Sequence, residues 1–320
     1  NTSWQINGKN DRYIRNWKIS LPGESFVIKD KDKINWGKIY NDNENTMALH
    51  RFGWLLRLMG DYNVSLVTKK GLEWIKYWLL SHNDKKNSIA WESYTVSERI
   101  VNWLFFLCAS KPFINIEKKT LDNIATALYS HLEYLSYNLE YRKQSTNNHI
   151  LNNARALYIG GRLLGISFAE KISEMIIKNE TDDLLPNGIL NEGSTHYQFL
   201  VTRSYLEIYW VAYITNDIKM VSWLKNKIKN MLSVCQYLSI NINDSKTIPL
   251  IGDISPDYPP SWLLGYPYSN INNNFHFSPW SKLWGDFDQF NSMIKDISEI
   301  SNKDILYTHQ KNQWLKLVSG

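Results

Sequence analysis

Apolar residues recur at helical spacing along most of the chain. Leu49, Phe52, Leu55, Leu56, Leu58 and Met59 form one face of a first amphipathic segment, which the pattern ends near Gly60 and Asp61. A second face runs through Leu72, Ile75, Trp78 and Leu79. The third segment covers 95–109, with Ile100, Trp103, Leu104 and Leu107 on one side. Lys111-Pro112 stops it, because proline has no N–H to give the helix. The same spacing predicts helices over 117–141, 147–164, 167–179, 193–215 and 217–240. Short breaks between successive helices predict antiparallel hairpins, and no fixed-period repeat marks a solenoid array. After Asn241 the texture changes: Pro249, Pro256, Pro259, Pro260, Pro267 and the stretch SNINNNF mark a long irregular region. One more helix is predicted over 288–300. Two short strands follow within 305–318, the opening of a sheet the chain does not complete. The expected organisation is an N-terminal extension (1–44), a helical domain (45–300) and the start of a truncated β domain (301–320).

Composition narrows the picture only slightly. With 43% hydrophobic and 21% charged residues the chain is ordinary globular protein, long enough for one large domain or two. Its 14 tryptophans and 19 tyrosines stand out. Such rings either fill helix–helix interfaces or stack on sugar faces while their polar ends hydrogen-bond. A net charge of +5 suits an acidic polymer without demanding one. No lysine–arginine run or known motif points to nucleic acid. No apolar run is long enough to span a membrane. Cys108 and Cys235, each in an apolar helical stretch, are expected to be two buried free thiols. The chain opens at Asn1 without a signal-like segment, as a processed product or a fragment would.

Two segments concentrate the chemistry: Asn147-Asn148-His149, and Glu192 to Tyr197 (EGSTHY). An amide, an imidazole and a phenol are the groups needed to remove a proton from carbon beside a carboxylate. Asn148 offers two N–H donors at the expected start of a helix, where free backbone N–H groups and the dipole favour an anion. Asn147 or Asn148 can equally be the helix N-cap. His149 can neutralise a carboxylate as a cation or act as a base when neutral. Tyr197 can protonate a leaving oxygen, or be a core tyrosine. Glu192 and His196, at i,i+4, read as a polar pair orienting Tyr197; with no third ligand, no metal is expected. Trp91, Arg99, Asn102 and Arg203 are candidates for holding sugar rings and carboxylates. No cofactor is expected.

Four motifs fall in an order that resembles one family. WESYTVSERIVNW (91–103), NNHILNNARAL (147–157), EGSTHY (192–197) and IGDISP (251–256) are similar to motifs of the heparinase II/III-like polysaccharide lyases and related alginate lyases. ALHRFGWL (48–55) resembles the opening of their helical domain, so the likeness covers about residues 45–320. The resemblance implies an all-α fold, an incomplete (α/α) toroid of helical hairpins, normally followed by a β-sandwich. It also implies β-elimination on a uronate-containing acidic polysaccharide, in the periplasm or outside the cell. The family's asparagine carries over onto Asn148, the adjacent histidine of its alginate-lyase branch onto His149, and its tyrosine onto Tyr197. Gln198 stands where many members have histidine, and a further catalytic histidine of the family belongs to the β-sandwich. Two other readings stand beside this one. A glycoside hydrolase would need two carboxylates across the bond, for which Glu98, Glu192 and Asp253 are available. A non-catalytic carbohydrate-binding or envelope-assembly protein could use the same scaffold.

Overall fold

The computed structural model describes residues 14–84, 86–141, 146–242, 245–255 and 263. The expected helix at 288–300 and the strands within 305–318 lie outside the described residues. A hairpin of β1 (Asn16–Ser20) and β2 (Ser25–Lys29) comes first, paired antiparallel with Trp17 opposite Ile28 and Ile19 opposite Phe26. Helices follow: α1 (Asn43–Arg51), α2 (Gly53–Asp61), α3 (Val64–His82), α4 (Ser93–Ser110) and α5 (Lys118–Tyr137). Then come α6 (Asn148–Leu164), α7 (Ser167–Leu184), α8 (Thr195–Ile214) and α9 (Ile218–Leu238), and a short ribbon of β3 (Ile240–Ile242) and β4 (Ser245–Thr247).

Burial separates the helices into two layers. Most residues of α4, α6 and α8 are buried, and these three pack side by side. By contrast α3, α5, α7 and α9 bury one stripe each and pack against the inner row. The result is an incomplete (α/α) toroid of antiparallel hairpins.

The hairpin at Asn16–Lys29 lies within the expected N-terminal extension and carries a strand pattern. Trp17 and Ile19 alternate inward, and Trp17 meets Trp74 edge-on at 5.5 Å. Its indole N–H donates to Asp30 at 2.9 Å. Burying two such side chains contributes roughly 2–3 kcal/mol each. The hairpin therefore shares one core with the helices.

The first amphipathic segment is two helices rather than one. Phe52 stands between α1 and α2 with φ 62°, in the left-handed region. Side chains from elsewhere take the carbonyls that this break leaves open. Trp54 donates to Leu49 O at 3.0 Å, Arg99 to His50 O at 3.2 Å and Asn102 to Arg51 O at 2.8 Å. Phe52 is held among Trp36, Trp54 and Trp103, with ring centroids 5.2–5.4 Å away. Left-handed backbone costs a bulky residue on the order of 1–3 kcal/mol, which this aromatic packing and the three caps offset.

Every tryptophan among the described residues except Trp223 is buried. Of the two uses open to the aromatic excess, these rings serve helix–helix packing. Cys235 is buried and free as expected; Cys108 is also free, but it is exposed rather than buried. Among the described residues no helix is long and apolar enough to cross a membrane.

Candidate functional site

The N-termini of α4, α6 and α8 gather at one end of the inner row, and the two chemistry-bearing segments meet there. Asn147 is the N-cap of α6: its side chain accepts from the His149 N–H at 3.1 Å. That frees Asn148, in the first turn, for other contacts. Glu192 supplies them, accepting from the Asn148 backbone N–H at 2.6 Å and from Asn148 Nδ2 at 2.7 Å. One carboxylate thus ties the loop before α8 to the start of α6. It also fixes one amide hydrogen of Asn148, so the second is the one available to a ligand.

Tyr197 lies in the first turn of α8, its backbone N–H donating to the N-cap Ser194 Oγ at 2.9 Å. Its ring is partly buried and packs against the helical core and against a smaller apolar cluster that includes Phe199, Leu200, Val234, Cys235 and Leu238. The IGDISP segment is sewn to the same turn. Thr195 N–H donates to Ile251 O at 3.0 Å, and Ile251 N–H donates back to Thr195 Oγ1 at 3.0 Å. Ser194 Oγ donates to Asp253 O at 2.5 Å. Gly252 has φ +76°, and an added Cβ would stand 2.8 Å from Gly193 O. Only glycine lets these two motifs touch.

His149 follows Asn148 in the first turn of α6. Its Nδ1 is 2.8 Å from Glu140 Oε1, and its ring lies 4.8 Å from that of Tyr94. The Arg51 guanidinium stands over the Tyr94 ring at 4.9 Å. Asn148, His149 and Tyr197 are therefore carried by two adjoining helix starts.

The remaining candidates are placed elsewhere, which corrects their expected role in holding sugars. Arg99 and Asn102 are buried and cap α1, as described above. Trp91 is buried, donating its indole N–H to His82 O at 2.8 Å. Arg203 is buried beside Glu207, 3.4 Å away. With Arg155, which bonds Glu98 at 2.6 Å and also Glu207, these charges form an ionic knot linking α4, α6 and α8. Burial raises the Glu207 pKa, opposed by Arg155 and Arg203. The knot ties the bodies of the three helices together.

Glu192 and His196 do not share a helix face, because α8 begins at Thr195 and leaves Glu192 in the preceding turn. His196 is buried with Nδ1 accepting from the Ser255 N–H at 3.3 Å, its ring centroid 6.4 Å from that of Tyr197. Glu192 orients Asn148 rather than Tyr197. Gln198 faces the core, where its amide accepts from Leu190 N–H at 2.8 Å and donates to Gly188 O at 2.9 Å. It clamps the loop that delivers Glu192. Sequence reasoning missed Glu140 entirely; its sole signal was a carboxylate in the polar stretch before α6.

Residues 9–271 match the Heparinase II/III N-terminus family. Among solved structures the fold is similar to heparinase III, at 20% identity and a TM-score of 0.55 over 70% of this chain and 36% of that one. It is also similar to heparan sulfate lyase HepC from Pedobacter heparinus, at 20% identity and a TM-score of 0.52 over 73% of this chain and 38% of that one. The chain thus spans well under half the length of either structure. No curated protein matches it.

Proposed function

This chain belongs to the Heparinase II/III N-terminus family, and from that premise we propose that its protein is a polysaccharide lyase cleaving a uronate-containing acidic polysaccharide by β-elimination. The observation that supports the proposal is the placing of Asn148 and His149 in the first turn of α6 and of Tyr197 in the first turn of α8, with Glu192, just before α8, bound to Asn148.

The chemistry follows from what each group can do. The uronate C5 proton is weakly acidic while its carboxylate is charged, since removing it places a second negative charge beside the first. The free Asn148 N–H and the positive end of α6 offset that charge as it develops, a donor of this kind being worth about 3 kcal/mol. A base takes the C5 proton, the C–H pair becomes the C4–C5 double bond, and the C4–O bond breaks. Tyr197 gives its phenolic proton to the departing oxygen. The proposal extends to a β-sandwich after the toroid and to action outside the cytoplasm. Support for the former is the share of the similar structures left uncovered, which exceeds half of each.

A hydrolase needs two carboxylates facing across a bond. Glu98 is bound to buried Arg155, and Glu192 is spent on Asn148. Product analysis tests the choice. The full-length protein, incubated with a panel of uronate polymers and with neutral glucans as controls, should release products bearing a 4,5-unsaturated uronate from at least one acidic polymer. Saturated reducing ends alone would overturn the lyase reading in favour of hydrolysis.

A further inference from the structure

His149 is held by more than its helix. Its Nδ1 faces Glu140 Oε1 at 2.8 Å, and Tyr94 lies against the ring. Glu140 is itself fixed at both ends by one side chain: its backbone N–H donates to Asn153 Oδ1 at 2.9 Å and its Oε2 accepts from Asn153 Nδ2 at 2.9 Å. The amide of Asn153 cannot be turned round, because the Glu140 N–H requires an oxygen there. Asn153 is fully buried, and its Nδ2 also donates to Ser97 Oγ on α4 at 3.1 Å. A continuous chain of hydrogen bonds therefore runs from α4 through α6 and Glu140 to one nitrogen of His149.

A carboxylate accepts only. It selects the imidazole tautomer with hydrogen on Nδ1, which leaves the Nε2 lone pair bare. Nε2 has no partner among the described residues, and the His149 side chain is 34% exposed. We propose that Glu140, braced by Asn153, is a positioning residue that holds His149 in the Nδ1–H tautomer and so makes Nε2 the acceptor of the C5 proton. This rests on the lyase reading above. In the step, the C5–H bond breaks, Nε2 takes the proton, and the electron pair enters the C4–C5 double bond. Loss of the C4–O bond follows, with the Tyr197 proton passing to that oxygen. The imidazolium formed lies against the Glu140 carboxylate, which offsets its charge.

Nitrogen-15 NMR of the histidine side chains tests the tautomer without any substrate, the His149 signals being assigned by their loss in His149→Gln. In the wild type the neutral ring of His149 should show a protonated Nδ1 and a bare Nε2. In Glu140→Gln, whose amide can donate as well as accept, the proton should move substantially to Nε2. Kinetics complete the test: Glu140→Gln should lower kcat about 10- to 100-fold with KM little changed. A wild-type His149 carrying its proton on Nε2, or a tautomer unaltered by Glu140→Gln, would overturn the inference whatever the activity. Absence of elimination in the wild type would instead defeat the lyase reading and leave the NMR result to decide the role of Glu140.

Discussion

His50 offers a stringent test of the packing inside the helical layers. It is buried at the end of α1, where its Nδ1 accepts the Trp78 indole N–H at 3.0 Å. A nitrogen that accepts must be unprotonated. Burial, then the neighbouring Arg99 and His82 charges, pull the group from its ordinary 6.5 down to about 3. The folded protein thus keeps the ring neutral while the unfolded chain takes up a proton as pH falls through 6.5. Stability from this site is complete above 6.5, is lost progressively as pH falls, and levels off near 3, where the native ring also protonates. Between pH 7.5 and 5 the loss is about 2 kcal/mol, since only the unfolded state titrates in that interval. His131, fully buried with no partner for either ring nitrogen among the described residues, is pulled in the same direction, again chiefly by burial. His50→Gln keeps an oxygen for Trp78 and removes the titration. Urea unfolding followed by tryptophan fluorescence at the two pH values should show the variant losing about 2 kcal/mol less than the wild type over this range. Equal losses in both proteins would refute the claim that the fold holds His50 neutral.

Other substitutions separate structural from functional roles. Asn102→Ala uncovers the Arg51 carbonyl at the α1–α2 break; it should cost about 1–3 kcal/mol in thermal or urea unfolding and leave KM unchanged, whereas a sugar-holding Asn102 would raise KM. Gln198→Ala strips partners from Leu190 N–H and Gly188 O, and should lower stability by roughly 2 kcal/mol or more, measured by calorimetry. If Gln198 faced the ligand, affinity would change and stability would not.

How much could be read from residues alone depends on how local the cause is. The long helices announce themselves through periodic Leu, Ile and Trp positions, and Pro112 lies just past the end of α4 as its missing N–H requires. The break at Phe52 was invisible, because a left-handed phenylalanine is decided by Trp36, Trp54 and Trp103 from three other segments. The first hairpin has a local signal of its own: Trp17 and Ile19 alternate with Lys18, and Pro22-Gly23 supplies the turn. At the candidate site, motif order pointed to Asn148, His149 and Tyr197. It could not show that Glu192 reaches Asn148 across 44 residues or that Glu140 stands behind His149. Arg99, Asn102, Trp91 and Arg203 misled because polar and aromatic side chains at a helix interface look the same in sequence as those lining a cleft. Only the burial of their polar ends against backbone carbonyls and Glu207 tells the two apart.

The most direct test of the central claim is the rate of unsaturated-uronate formation by Tyr197→Phe, followed by ultraviolet absorbance on the best acidic polymer, with binding of the same polymer measured in parallel. Loss of one hydroxyl should lower the rate at least about 100-fold while affinity stays within a few-fold of the wild type, as removal of a proton donor used in the transition state requires. A variant that eliminates at the wild-type rate would contradict the account by removing Tyr197 from the chemistry.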